Sequence, residues 1–125
     1  MLEPNKIFKL SKSSLILIEG NDKFDFIQGI ISNDINFLKT KKSIYAAILS
    51  PQGRYLYDFF IANYNNNFLL ECPSFQVDEI FKKLNLYKLR SDVKIKIIET
   101  FDIFLVSKNN QQILHCMYLF QILDM

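Results

Sequence analysis

Residues 43–72 hold three apolar segments, SIYAAIL, YLYDFFIANY and FLLEC, separated by two clusters of turn-forming residues. In the first cluster, SPQGR, Pro51 presets the backbone angle for the second position of a β-turn, and Gly53 can take the left-handed conformation that closes a hairpin. Asn65-Asn66-Asn67 turns the second segment into the third. This pattern predicts a meander of three antiparallel strands, which confines the chain to folds built on an antiparallel or mixed sheet. Along the middle strand Leu56, Asp58, Phe60 and Ala62 share one face, while Tyr55, Tyr57, Phe59 and Ile61 share the other. Both faces are largely apolar, so the strand is expected inside the sheet. Asp58 is then a carboxylate in an expensive place.

The flanking segments add helices. LILIE at 15–19 reads as a buried strand ended by Gly20, and Asp22 stands where a helix N-cap belongs, with Asp25 adding negative charge near the helix start. Phe24, Ile27, Ile30 and Ile31 recur at helical spacing. Gly29, inside that helix, costs about 1 kcal/mol relative to alanine, which calls for a packing or ligand-approach explanation. Asn33-Asp34 is expected to terminate the helix. KTKK at 39–42 reads as an exposed connection. After Pro73, Ser74 is expected to cap a second helix whose apolar residues are Val77, Ile80, Phe81 and Leu84, with Lys82 and Lys83 late in it. Val93, Ile95 and Ile97 then alternate with Lys94 and Lys96, as in a half-exposed strand. The rest reads as a strand, a turn at Lys108-Asn109-Asn110 and an apolar tail of undecided type. The fold class is therefore α+β: an antiparallel or mixed sheet with a β-meander and at least two packed helices.

With 125 residues, the chain can bury one core, so residues 1–125 are read as a single domain. A net charge of +2 lacks the strongly basic signature of an electrostatic nucleic-acid binder, and direct nucleic-acid binding is not expected. Cys72 and Cys116 stand far apart without a C-x-x-C, which suggests neither a zinc site nor a disulfide framework. No apolar run reaches the roughly 18–20 residues of a membrane span, and no secretory signal is visible. The expected setting is the cytoplasm, or the mitochondrial matrix if the source is eukaryotic. His115 is read as a core histidine, and no nucleophile elbow or H-E-x-x-H pair accompanies it. Three glycines leave no phosphate-cradling loop. The polar residues within apolar surroundings are Gln28, Asn33, Asp34, Asp58, Arg90 and Asp92. Most have structural explanations, Asp92 by pairing with Arg90 or a lysine. Asp58 needs a partner or a ligand.

Taken together, GNDKFDFIQGIISNDI at 20–35 resembles the pattern G-x-D-x-x-x-F-(L/I)-Q-G-x-x-(S/T)-N-D-(I/V) near the amino terminus of the YgfZ/GcvT-like folate-binding family. AAILSPQGRYLYDFFI is similar to the family's L-x-P-x-G-(R/K)…D hairpin, and FKKLNLYKLRSDVKI to its L-x-x-(Y/H)-x-(L/I)-R-x-x-V element. Three blocks in order cover about residues 7–98. The resemblance implies a GcvT-like amino-terminal domain bordering a folate pocket. It also implies tetrahydrofolate or a derivative as cofactor, and a role in iron–sulfur cluster assembly or repair and tRNA modification. Gln28, Asn33 and Asp34 would then lie near the site. A pterin offers an amidine-like edge that suits a carboxylate, and a glutamate tail that suits an arginine, which makes Asp58 and Arg90 the candidates.

The sequence also departs from the family pattern. Aminomethyltransferases of this family carry paired aspartates after the glycine turn, whereas Tyr57 stands at the first of those positions here and only Asp58 remains. The assembly-factor branch carries a K-G-C-Y-x-G-Q-E motif that this sequence lacks. HCMYLFQ at 115–121 has the wrong spacing to replace it. The expectation is a truncated, non-catalytic relative whose pocket is completed by a homo-oligomer or a second chain, serving iron–sulfur assembly clients. The alternatives are tetrahydrofolate-dependent aminomethyl transfer with Asp58 as the acid–base group, and a split-gene structural fragment.

Overall fold

The computed structural model describes the backbone of residues 7–9, 12–98, 101–106 and 117–121, with side chains for 12–98. In chain order, strand β1 is Ile7–Lys9, β2 is Ser13–Glu19, helix α1 is Lys23–Ile30, and a short 3-10 helix covers Ile35–Lys39. Strands β3 (Ser43–Leu49), β4 (Tyr55–Tyr64) and β5 (Asn67–Pro73) follow. A 3-10 turn, Ser74–Gln76, leads into α2 (Val77–Lys88), then β6 (Lys94–Ile98), β7 (Phe101–Val106) and β8 (Met117–Gln121). The strands form a five-stranded sheet in the order β3-β4-β5-β2-β6 and a three-stranded sheet in the order β1-β7-β8. Every neighbouring pair is antiparallel. The α+β class, the meander and two packed helices are as the sequence predicts.

The predicted turn chemistry sets the meander. Gly53 has φ of 83°, and its N–H donates to the Ser50 carbonyl at 2.9 Å. Asn65 and Asn66 have φ of 49° and 64°. Paired positive angles match the twist of the flanking strands, and asparagine tolerates them better than most residues. The β3–β4 register shifts near its end: Ile48 faces Tyr57, but Leu49 faces Tyr55. This bulge breaks the simple alternation expected for Tyr55 and Leu56, because an extra residue re-aims every side chain beyond it. Leu56 and Tyr57 both pack against the main core, and Tyr55 is released from that side.

One face of the large sheet presents Ile16, Ile18, Ile44, Ala46, Ile48, Phe59, Ile61 and Leu70 to Ile27 of α1, Ile35 and Leu38 of the 3-10 helix, and Ile80 and Leu84 of α2. Each fully buried leucine or isoleucine contributes about 1.5–3 kcal/mol. The other face carries Leu15, Ala62 and Leu69, with Leu17, Phe60, Tyr64 and Ile98 partly buried around them. Asp58 projects on this second face, between Phe59 and Tyr57 whose side chains turn to the first. Interior position in the sheet is therefore as expected, while the side chain itself is half-buried.

Three polar roles differ from the sequence reading. Asp22 is the N-cap of α1, but its side chain makes no capping hydrogen bond to it. Its Oδ2 instead accepts the Asp92 N–H at 2.7 Å. Asp92 Oδ2 accepts from Asn21 Nδ2 at 3.0 Å, so Asp92 clamps the β2–α1 turn rather than pairing with Arg90. The Gly20 backbone has φ of 118°, and a Cβ there would lie 2.2 Å from the Asp92 carbonyl oxygen. Ser74 does not cap α2. It lies in the preceding 3-10 turn, and its hydroxyl shares a 2.7 Å hydrogen bond with that of Ser14. Among the described residues no helix is long and apolar enough to cross a membrane. Cys72 is buried and unbonded, and burial, with the nearby charge of Glu71, pushes its thiol up to about 12. His115, Cys116 and the turn at 108–110 lie outside the described residues.

Candidate functional site

The segment Gln28–Asp34 connects α1 to β3 through its polar side chains. Gln28 Oε1, from the last turn of α1, accepts the Ile35 N–H at 2.8 Å. Ser32 pairs with Ala47 of β3 in both directions: its N–H donates to the Ala47 carbonyl and its Oγ accepts the Ala47 N–H, each at 2.9 Å. Asn33 Nδ2 donates to the Tyr45 carbonyl at 2.8 Å, and Asn33 Oδ1 accepts the Asp34 N–H at 2.7 Å. Asp34 Oδ1 accepts from both the backbone and side-chain nitrogens of Asn36 at 2.9 Å. Those two bonds, backbone first, hold the Asp34 carboxyl below its ordinary value. Asn33-Asp34 thus starts the 3-10 helix rather than merely ending α1. The polar punctuation is a brace between α1, the 3-10 helix and β3.

Tyr45 extends this brace to Asp58. It lies opposite Phe60 across the β3–β4 pair, with ring centroids 5.1 Å apart, and its hydroxyl donates to Asp58 Oδ2. That hydrogen bond, then burial and the charge of Asp58, push the Tyr45 phenol up to about 12. Tyr55, brought to the same face by the bulge, is raised chiefly by burial and next by its own hydrogen bond to Asp58. A carboxylate has about four lone-pair positions, so two phenols orient Asp58 and leave it able to accept from a donor-bearing ring edge. Tyr45 and Tyr55 were missed by sequence reasoning. The alternation that puts Tyr45 beside Phe60 was a usable signal for the first, whereas only the bulge reveals the second.

The structure brings Gln28, Asn33, Asp34 and Asp58 into one connected set through Tyr45. It does not bring in Arg90, which is exposed on the loop after α2 and makes no ion pair among the described residues. α2 packs on the sheet face opposite Asp58. Tyr57 is raised by burial and then by the charge of Glu79 on α2. A separate cleft of about 480 Å³ is lined by Gly29, Ile30, Ile31, Leu49, Ser50, Pro51 and Tyr87. Among the described residues no group of three potential ligands could hold a metal ion.

Comparison with known proteins defines the class. The glycine cleavage system aminomethyltransferase T from Bartonella henselae superposes with a TM-score of 0.70 at 19% identity, covering 82% of this chain and 28% of that one. The fold is thus that of part of an aminomethyltransferase. In sequence, the iron-sulfur cluster assembly factor IBA57 homolog of Neurospora crassa is 31% identical over 98 residues, 73% of this chain and 22% of the relative. The Aspergillus clavatus homolog of the same factor is 33% identical over 108 residues, covering 73% and 24%. The aminomethyltransferase of Staphylococcus carnosus is 32% identical over 91 residues, covering 72% and 25%. No family model matches the chain. The chain is a relative of the GcvT-like proteins, which include both of these kinds, and it spans about a quarter of the length of the curated relatives it matches.

Proposed function

We propose that this chain supplies the amino-terminal, folate-facing part of a GcvT-like accessory factor for iron–sulfur cluster assembly or repair, of the branch that also supports tRNA modification. The observation that carries this reading is the Asp58 carboxylate, held by Tyr45 and Tyr55 on an interior strand and tied through Tyr45 to the Gln28–Asp34 brace. The residue types fit tetrahydrofolate or a derivative: Asp58 would take the donor edge of the pterin, and Gln28, Asn33 and Asp34 would fix the wall that positions it. Arg90 remains the candidate for the glutamate tail only if another part of the assembly brings that tail to the loop after α2. Bound folate would supply a one-carbon carrier. Asp58 would orient it, with the hydroxyls of Tyr45 and Tyr55 directing the carboxylate. The similarity to proteins named as assembly factors supports the iron–sulfur role. A homo-oligomer or second chain would complete the pocket, in the cytoplasm or, in a eukaryote, the mitochondrial matrix.

Depleting the protein in its own cell should lower the activity of iron–sulfur enzymes while leaving their polypeptide levels and non-cluster enzymes unchanged. Unaltered cluster enzymes would refute the assembly role. Calorimetric titration should show tetrahydrofolate binding to the monomeric chain to be weak or absent, and stronger in a homo-oligomer or once a second chain that completes the pocket is added. Tight one-to-one binding to the monomer would contradict the shared-pocket reading.

A second reading, one-carbon transfer, is favoured by the relative named aminomethyltransferase. It requires turnover that Asp58→Asn abolishes with folding retained, and the absence of turnover in the unmodified protein removes it.

A further inference from the structure

Gly29 has no internal reason to be glycine. Its φ is not in the left-handed region, and a Cβ built on it would meet nothing within 4 Å among the described residues. It sits within α1, where glycine costs about 1 kcal/mol relative to alanine. Among the described residues neither packing nor backbone conformation accounts for it. Close approach of a further group does, and Gly29 lines the cleft between the end of α1, the β3–β4 turn and α2.

We infer that this cleft is a binding site for a neutral, flat heteroaromatic ring, docked with its edge toward the Gly29 backbone and its face on Tyr87. Its volume of about 480 Å³ falls within the usual small-ligand range of roughly 300–1,000 Å³. None of its lining residues carries a formal charge; the ammonium of Lys83 lies 5.7 Å from the Tyr87 ring centroid, over one face of that ring, so the docked ring takes the opposite face. Tyr87 and Pro51 supply flat ring surfaces, while Ile30, Ile31 and Leu49 supply apolar edges. Two hydroxyls give polarity without charge. Ser50 Oγ already accepts the Arg54 N–H at 3.1 Å, which leaves its proton free to donate, and Tyr87 can donate or accept. Leu49 is 42% exposed, an apolar surface that such a ring would cover. The site is distinct from Asp58, which lies on the other face of the sheet, and it does not depend on the assembly role.

The test is amide NMR of the whole chain, with indole as the flat probe and cyclohexanol as a puckered neutral control. Gly29 is one of three glycines, so its signal can be followed individually. Indole should shift Gly29, Ser50 and Tyr87 saturably, and cyclohexanol should not. Gly29→Ala should weaken indole binding by about tenfold or more while raising the melting temperature, because alanine favours the helix. Tyr87→Leu should weaken it as well. Unmoved Gly29 and Tyr87 signals, equal binding by Gly29→Ala, or an equal response to cyclohexanol would each overturn the inference.

Discussion

The two ends of α1 each carry a glycine, and the chain treats them in opposite ways. At the start, Gly20 is pressed against the Asp92 backbone, and Asn21, Asp22 and Asp92 exchange hydrogen bonds that seal the corner. At the end, Gly29 faces open space beside a cleft. The same residue type therefore serves internal closure in one place and outward access in the other. At these two positions glycine marks a place where a backbone is reached, and only the structure says from which side.

Substitutions can break or sharpen this contrast. Gly20→Ala should have the largest effect, a loss on the order of 3 kcal/mol, since the added Cβ clashes with backbone and the left-handed φ adds strain. Urea denaturation would measure it, and a loss below about 1 kcal/mol would mean that the corner relaxes easily. Gln28→Ala should cost roughly 1–2 kcal/mol, because the partly buried Ile35 N–H is left without its acceptor. Gly29→Ala should reverse the sign, stabilising the fold by about 0.5–1 kcal/mol. If alanine at the two positions proved equally costly, the contrast would fail.

The smallest effect should come from pH. The β3 side of the open end is tied through Asn33 to Tyr45, whose phenol is raised from 10.0 to about 12. The unfolded chain loses that proton first. The contribution is therefore whole below pH 10 and is lost as pH rises through about 12. Tyr45 is half exposed, so solvent screening keeps this contribution small. Denaturation midpoints followed across this range should fall less steeply in Tyr45→Phe, while the corner at Gly20 should respond identically in both proteins.

The meander was legible because its information is local: Pro51, Gly53 and the asparagine turn dictate angles wherever they occur. Helical spacing likewise revealed α1 and α2. The polar side chains were harder, since Asp92 and Ser74 take partners distant in sequence that no spacing rule names. Tyr55 was invisible as a neighbour of Asp58 because the bulge arises from how β3 and β4 twist together. The membership of Gln28, Asn33 and Asp34 in one group came from the family resemblance. Their hydrogen-bond partners came from the structure.

The sheet order also sets a schedule for synthesis. β2 leaves the ribosome before both strands that flank it, β5 and β6, with Leu15 meeting Glu71 on one side and Ile98 on the other. The three-strand meander can assemble from short-range closures, but β2 has to wait with bare backbone edges until far later residues emerge. A nascent chain stalled between β5 and β6 would hold one edge of β2 unpaired, an adhesive surface that favours chaperone capture or aggregation.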